Sequence, residues 1–286
     1  MESLRTAVRS VVAALGISAS VFAAPAGVSL AAASQPYGLG IASLLPSAGA
    51  VVGVAHPVVV TFARPVTDRQ AVERSLAVTS SPPMTGTFQW LGDNVVQWVP
   101  DRFWPAHSTL ALSVAGRPLT ITTGPKVVGV ASISDHTFTV TIDGVEAGPT
   151  SSLPAPHHRP RWGEPGVFPA TMGRPAYPTP VGIYSAMGKE RSVVMDSSTV
   201  GIPVNSPDGY HLTVDYAVRF TSRGLFVHAA PWAVNSLGHD NVSHGCISLS
   251  PEDAQWYYDT VNVGDPIIIR ENNVEVPTAP TISKAS

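Results

Sequence analysis

Short β-branched runs, broken by turn residues at close intervals, restrict much of this chain to a fold of many small strands. Between residues 47 and 124 the runs HPVVVTFARPV (56–66), TFQWLGDNVVQWVP (87–100), STLALSVAG (108–116) and PLTITTG (118–124) follow one another in this way. Turn signals every ~8–12 residues fit a small β-sandwich of immunoglobulin-like type, without the cysteine pair of antibody domains. The 27 prolines, 24 glycines and 13% charged residues disfavour long charged helices throughout. The fold class expected is therefore mostly β. A net charge of −3 with no Lys/Arg cluster gives no footprint for nucleic acid, which is excluded as a partner.

The N-terminus carries Arg5 and Arg9, then the apolar run VVAALGISASVFAA (11–24) and the small-residue sites VFAAPAG and SLAAASQ. This is the order of a secretory signal peptide, expected over residues 1–35. The run is shorter than the ~20 residues a spanning helix needs, so no transmembrane domain is expected beyond an uncleaved signal anchor. The expected location is across the plasma membrane, in the cell envelope or periplasmic space. Residues 36–46 lack pattern and read as a linker, leading to the sandwich at 47–124. Exported chains normally hold cysteines in even numbers, yet Cys246 stands alone.

A second domain begins after TTGPK (122–126). Within ASISDHTFTVTIDGVEAG (131–148), Phe138, Val140 and Ile142 alternate with threonines, and Asp143-Gly144 supplies a turn, which predicts a hairpin. The proline-rich stretch 149–166 reads as an exposed loop, with His157 and His158 solvated rather than metal-bound. His56 and His107, isolated beside prolines, read as structural or solvated. Strands are expected in 191–198, 211–220, 223–230 and 265–271. One helix is clear: Ser250 as N-cap, Pro251 at its first position, Asp253 at its third, and Gly264 beyond its end.

Two histidines bracket the cysteine, His228 at the end of a strand and His244 two residues before it. An imidazole within reach of a thiol can take its proton and make it a nucleophile. His244 is so close in sequence that contact depends on the turn, whereas His228 can be aimed across from a neighbouring strand, so His228 is the expected base. Gly245 would let the backbone turn and admit substrate, and the Gly245 and Cys246 N–H groups are candidates to hold an oxyanion. Two rival readings stay open. One is zinc held by His228, His239, His244 and Cys246; the other is an inert, buried cysteine.

The stretch FVHAAPWAVNSLGHDNVSHGCISLSPEDAQWYYD, with 14 residues between His228 and Ser243-His244-Gly245-Cys246, resembles the signature of the L,D-transpeptidases, the YkuD-type catalytic domain. RPAYPTPVGIYSAM, VVMDSSTVGIPVNSPDGY and VGDPI match in order, so the resemblance covers about residues 125–272 and leaves 273–286 as a tail. The preceding sandwich resembles the Ig-like domain of exported members. The resemblance implies an acyltransferase acting on peptidoglycan stem peptides. The cysteine would attack the third residue of a tetrapeptide stem, release D-Ala and pass the acyl group to a neighbouring stem amine, giving a 3→3 cross-link. It further implies acylation by carbapenem β-lactams and no cofactor or metal. Carried over by position, Cys246 is nucleophile, His228 base and His244 an accessory group. Tyr210, Met195, Ser243 and Ser248 would face substrate, with Trp232 and Asn235 on the loop over the site. Two departures stand out: Ala229 where the family has Ser, and Ser248 where it has Asn. The alternatives to the enzyme are a zinc-binding protein and a non-catalytic cell-wall-binding module.

Overall fold

The computed structural model describes residues 40–153, 161 and 163–272. The expected signal peptide, the His157-His158 pair and the C-terminal tail lie outside the described residues. The first half consists of β1 (Ile41–Leu45), β2 (Val51–Val52), β3 (Val58–Phe62), α1 (Arg69–Leu76), β4 (Thr79–Ser81), β5 (Gly86–Trp90), β6 (Val95–Pro100), β7 (Thr109–Val114) and β8 (Arg117–Thr123). They form two four-stranded sheets, ordered β1-β3-β6-β5 and β2-β8-β7-β4. Val58, Val60 and Phe62 alternate inward on β3, as do Leu110, Leu112 and Val114 on β7, and with Trp98 and Trp104 they close one apolar core.

Two local features depart from the sequence reading. Residues 41–45, read as linker, form the edge strand β1, antiparallel to β3. Its side chains are half-buried or exposed, so no apolar alternation announces it. The sandwich also contains α1, where no helix was expected. Asp68 caps it by accepting from the Ala71 N–H, and Val72 and Leu76, four residues apart, turn into the core.

The second half comprises β9 (Val127–Ser132), β10 (Thr137–Ile142), β11 (Val145–Glu146), β12 (Val167–Pro169), β13 (Gly182–Ser185), β14 (Gly188–Asp196), β15 (His211–Arg219), β16 (Phe226–Ala229), β17 (Ile247–Leu249), α2 (Pro251–Thr260) and β18 (Pro266–Arg270). One sheet runs β11-β10-β9-β18-β13, with β12 also on β10; the other runs β14-β15-β16-β17. Asp143 and Gly144, both at positive φ, make the turn between β10 and β11. Helix α2 begins as its sequence dictates, with the Ser250 hydroxyl accepting from the Asp253 N–H and Pro251 in the first turn. Its Tyr257 meets Phe138 of β10 edge-on at 4.8 Å, and α2 also packs on β15 and β16.

Sandwich and second half are joined by backbone. The Gly53 N–H donates to the Val263 carbonyl at 2.8 Å and the Ala55 N–H to the Gly264 carbonyl at 2.7 Å. Beneath them Asp265 is fully buried, its Oδ2 accepting from the Asn262 N–H, with the Val54 and Val127 N–H groups close by. Burial pushes this carboxyl up to about 6. Approach is so close that a Cβ on Gly53 would lie 2.1 Å from the Asp265 backbone nitrogen. Gly53→Ala should therefore force the two segments apart and destabilise the protein by about 1–3 kcal/mol, as overpacking does. Thermal denaturation checks this: a clear fall in Tm is expected, and an unchanged Tm would show that the junction is loose.

Candidate active site

The site is built on the one parallel pair in the β14-β15-β16-β17 sheet, β16 beside β17, with His228 opposite Ser248. His228 is buried, at 3% exposure. Its Nδ1 lies 2.7 Å from the Ala229 carbonyl, which can only accept, so Nδ1 carries the proton and Nε2 keeps its lone pair. The bond is to backbone, so Ala229 serves as well as a serine would. The Ser248 hydroxyl is the side-chain neighbour of Nε2, at 3.5 Å. Burial disfavours the imidazolium and lowers the His228 pKa to about 4, the Ala229 bond opposing only in part.

Cys246, partly buried, packs against the core residues Val214, Ala217 and Phe226, as do Val193, Met195 and Leu212. This apolar surround pushes its thiol up to about 11, against a weaker stabilising backbone bond from Phe226. The turn before it is clamped at several points. Ser243 Oγ accepts from the Gly245 N–H at 3.0 Å and donates to the Cys246 carbonyl at 2.7 Å. Thr179 Oγ1 donates to the Gly245 carbonyl at 3.0 Å, and Gly245 takes φ +111°, which a side chain would strain. One expectation is corrected here. The Gly245 N–H is engaged by Ser243 rather than open to an oxyanion, so this glycine shapes the turn.

Around these residues lies a cavity of about 280 Å³, lined by Met195, Tyr210, Trp232, Ser243, His244 and Ser248 together with His228 and Cys246. Trp232, 57% exposed, lies near-parallel to the His228 ring with centroids 6.1 Å apart. Asn235 is exposed and stands outside the cavity wall, so the sequence expectation for it is not met. It lies just beyond the short 3₁₀ turn Pro231–Ala233, which carries the cavity-lining Trp232. Ser248 is buried and turned toward His228, which makes it a neighbour of the imidazole more than of an incoming ligand.

His244 lies between the Tyr177 and Tyr210 rings, at 4.8 and 4.9 Å, with its Nε2 3.0 Å from an Arg174 nitrogen. A guanidinium only donates, so the Nε2 lone pair is taken and His244 has none to offer the thiol. Arg174, Tyr177 and Asp208 escaped the sequence reading, although RPAYP carried part of the family resemblance. His239 is exposed, and among the described residues no three His, Cys, Asp or Glu side chains converge as a metal cradle, so the four proposed zinc ligands are not brought together.

Known proteins resemble this chain in sequence and fold. Residues 130–269 match the L,D-transpeptidase catalytic domain and residues 28–117 a bacterial Ig domain. The chain is 65% identical to the probable L,D-transpeptidase 3 of Mycobacterium tuberculosis, over 91% of this chain and 97% of that one. It belongs to the L,D-transpeptidase family. The solved structure of L,D-transpeptidase 3 from that organism, in complex with a faropenem-derived adduct, matches with TM-score 0.76 and 66% identity over 82% of this chain and 100% of that chain. L,D-transpeptidase LdtMt1 in complex with imipenem matches with TM-score 0.72 and 52% identity, over 81% and 99%. The mostly β fold and the enzyme class read from sequence are thus those of this L,D-transpeptidase.

Burial, by raising the Cys246 thiol to about 11, favours its protonated form at rest. Its alkylation by iodoacetamide should be much slower at neutral pH than that of a free cysteine, whose pKa is ~8.5, and should still be rising well above that value. A rate that has already levelled off at neutral pH would contradict a neutral thiol.

Proposed function

We propose that this L,D-transpeptidase works through an acyl-enzyme on Cys246 with His228 as the general base. The observation that carries the proposal is the Nδ1–H bond from His228 to Ala229, which leaves Nε2 unprotonated in the cavity that holds the thiol. Substrate is a peptidoglycan tetrapeptide stem. As its third-residue carbonyl reaches Sγ, the thiol proton passes to His228 Nε2 and sulfur bonds to the carbonyl carbon. The tetrahedral intermediate collapses, the imidazolium returns the proton to the leaving amine, and D-Ala departs. A side-chain amine of a neighbouring stem then attacks the thioester, again giving its proton to His228; the C–S bond breaks, the imidazolium returns that proton to the departing Cys246 sulfur, and the 3→3 cross-link is released.

General-base attack suits a neutral pair better than a standing thiolate does. Burial raises the thiol and lowers the imidazole, so charge appears only while substrate is reacting. Acylation by carbapenems follows from the same chemistry, since a strained lactam carbonyl asks for the same attack. The names of the related complexes, with imipenem and with a faropenem-derived adduct, support it. The stems lie outside the plasma membrane, which agrees with export by the signal read in residues 1–35.

Incubation with a carbapenem should add one inhibitor mass, mapped to residues 241–250, and chelator pretreatment should not alter the yield. Cys246→Ser should not react appreciably. His228→Ala should fold and lose ~10²- to 10⁴-fold in acylation rate, the usual worth of a general base. An unmodified wild-type protein, or one modified only with zinc present, would overturn the proposal. A folded, fully active His228→Ala would move the base elsewhere.

A further inference from the structure

Arg174 takes no part in the proton transfer, yet its side chain joins three segments around the cysteine. It stands with Tyr177 on the turn between β12 and β13, and its own backbone N–H donates to the Ser243 carbonyl at 3.0 Å. Its guanidinium donates to His244 Nε2, pairs with the Asp208 carboxylate and lies over the Tyr177 ring at 4.9 Å. Tyr177 closes the circuit by donating its hydroxyl to Asp208 Oδ2 at 3.1 Å. Asp208 and Tyr210 belong to the connection between β14 and β15, and His244 is two residues from the nucleophile.

A guanidinium that donates to Nε2 requires His244 to be neutral there. Protonation of that nitrogen would set an N–H against a cation and break the bond. We propose that Arg174 is a positioning residue, which holds His244 as a neutral acceptor between the two tyrosines and thereby fixes the turn that presents Cys246. This rests on Cys246 being the nucleophile, as argued above.

The groups facing His244 are Arg174 and Tyr177 from one turn, Asp208 and Tyr210 from the β14–β15 connection, and Cys246 close to Tyr210 on its own turn. Asp196 acts on Tyr210 in addition. Burial and the Arg174 charge hold His244 below its ordinary pKa, while Asp208 pulls the other way. Removing the cation leaves Asp208 unopposed, so the His244 pKa must rise.

The test is carbapenem acylation of the full chain across pH, with Arg174→Met and Arg174→Lys beside the wild type. Arg174→Met should acylate roughly ten- to a hundredfold more slowly, as small misplacements of a reacting group do. It should also gain a new acid limb close to the ordinary histidine pKa of ~6.5, where the wild type is flat. Arg174→Lys restores the charge and one donor, and should recover most of the flat profile. In parallel, the His244 imidazole followed by NMR should titrate higher in Arg174→Met than in wild type. A folded Arg174→Met with wild-type rate and profile would overturn the proposal, as would an unchanged His244 titration. If Arg174→Met does not fold, the lysine variant decides, because a wild-type His244 titration together with a recovered flat profile supports the proposal and a persistent acid limb refutes it. Failure of the wild type to acylate would instead count against Cys246 as nucleophile.

Discussion

The parallel pairing of β16 with β17 is the constraint on which the site depends. Register sets His228 opposite Ser248, so an imidazole from one strand and a thiol at the head of the next share one cavity although 18 positions separate them. Parallel neighbours cannot be joined by a tight turn, and the crossing segment 230–246 is the structural consequence. That segment supplies Trp232 over the imidazole, Ser243 to clamp the turn and His244 at the rim. Half of the cavity wall is thus built from the connection that the parallel pair requires.

Burial decides the charge state of the pair. A shift of about two pKa units disfavours a charged form by roughly 3 kcal/mol, and both groups are shifted that far, in opposite senses. Attraction between two unit charges ~4 Å apart, at the effective dielectric of a protein, is about 4 kcal/mol. That is less than the two penalties together, which supports a resting pair in which thiol and imidazole are uncharged. A thiol in this state resists oxidation and unselective alkylation, which follow thiolate character, and a substrate carbonyl in place makes the proton transfer worthwhile.

Sequence carried the parts of the structure that local chemistry determines. Asp143-Gly144 takes the positive φ pair a two-residue turn needs, and Ser250-Pro251 starts a helix because the hydroxyl and the missing N–H suit its first turn. The fold class was legible in the same way, from alternation, and a lone thiol spaced from an imidazole pointed to Cys246 and His228, which line one cavity. What stayed hidden depends on tertiary approach. Strand β1 shows no alternation because neither of its faces is fully buried, and α1 is too short to display a helical period. Arg174 meets Asp208 and His244 across 34 and 70 positions, a distance at which spacing carries no signal. Asn235 is the converse case: it is near Trp232 in sequence, yet it is exposed and stands outside the cavity wall. Gly245 was rightly read as a turn residue, yet only the structure could show that Ser243 takes its N–H.

A neutral resting pair, with the His228 proton on Nδ1, can be tested by nitrogen NMR of the labelled imidazole across pH. At neutral pH a protonated Nδ1 and an unprotonated Nε2 are expected, a pattern that persists on acidification until pH nears about 4. An imidazolium at neutral pH, protonated on both nitrogens and lost in Cys246→Ala, would reveal a standing thiolate partner and contradict a neutral pair.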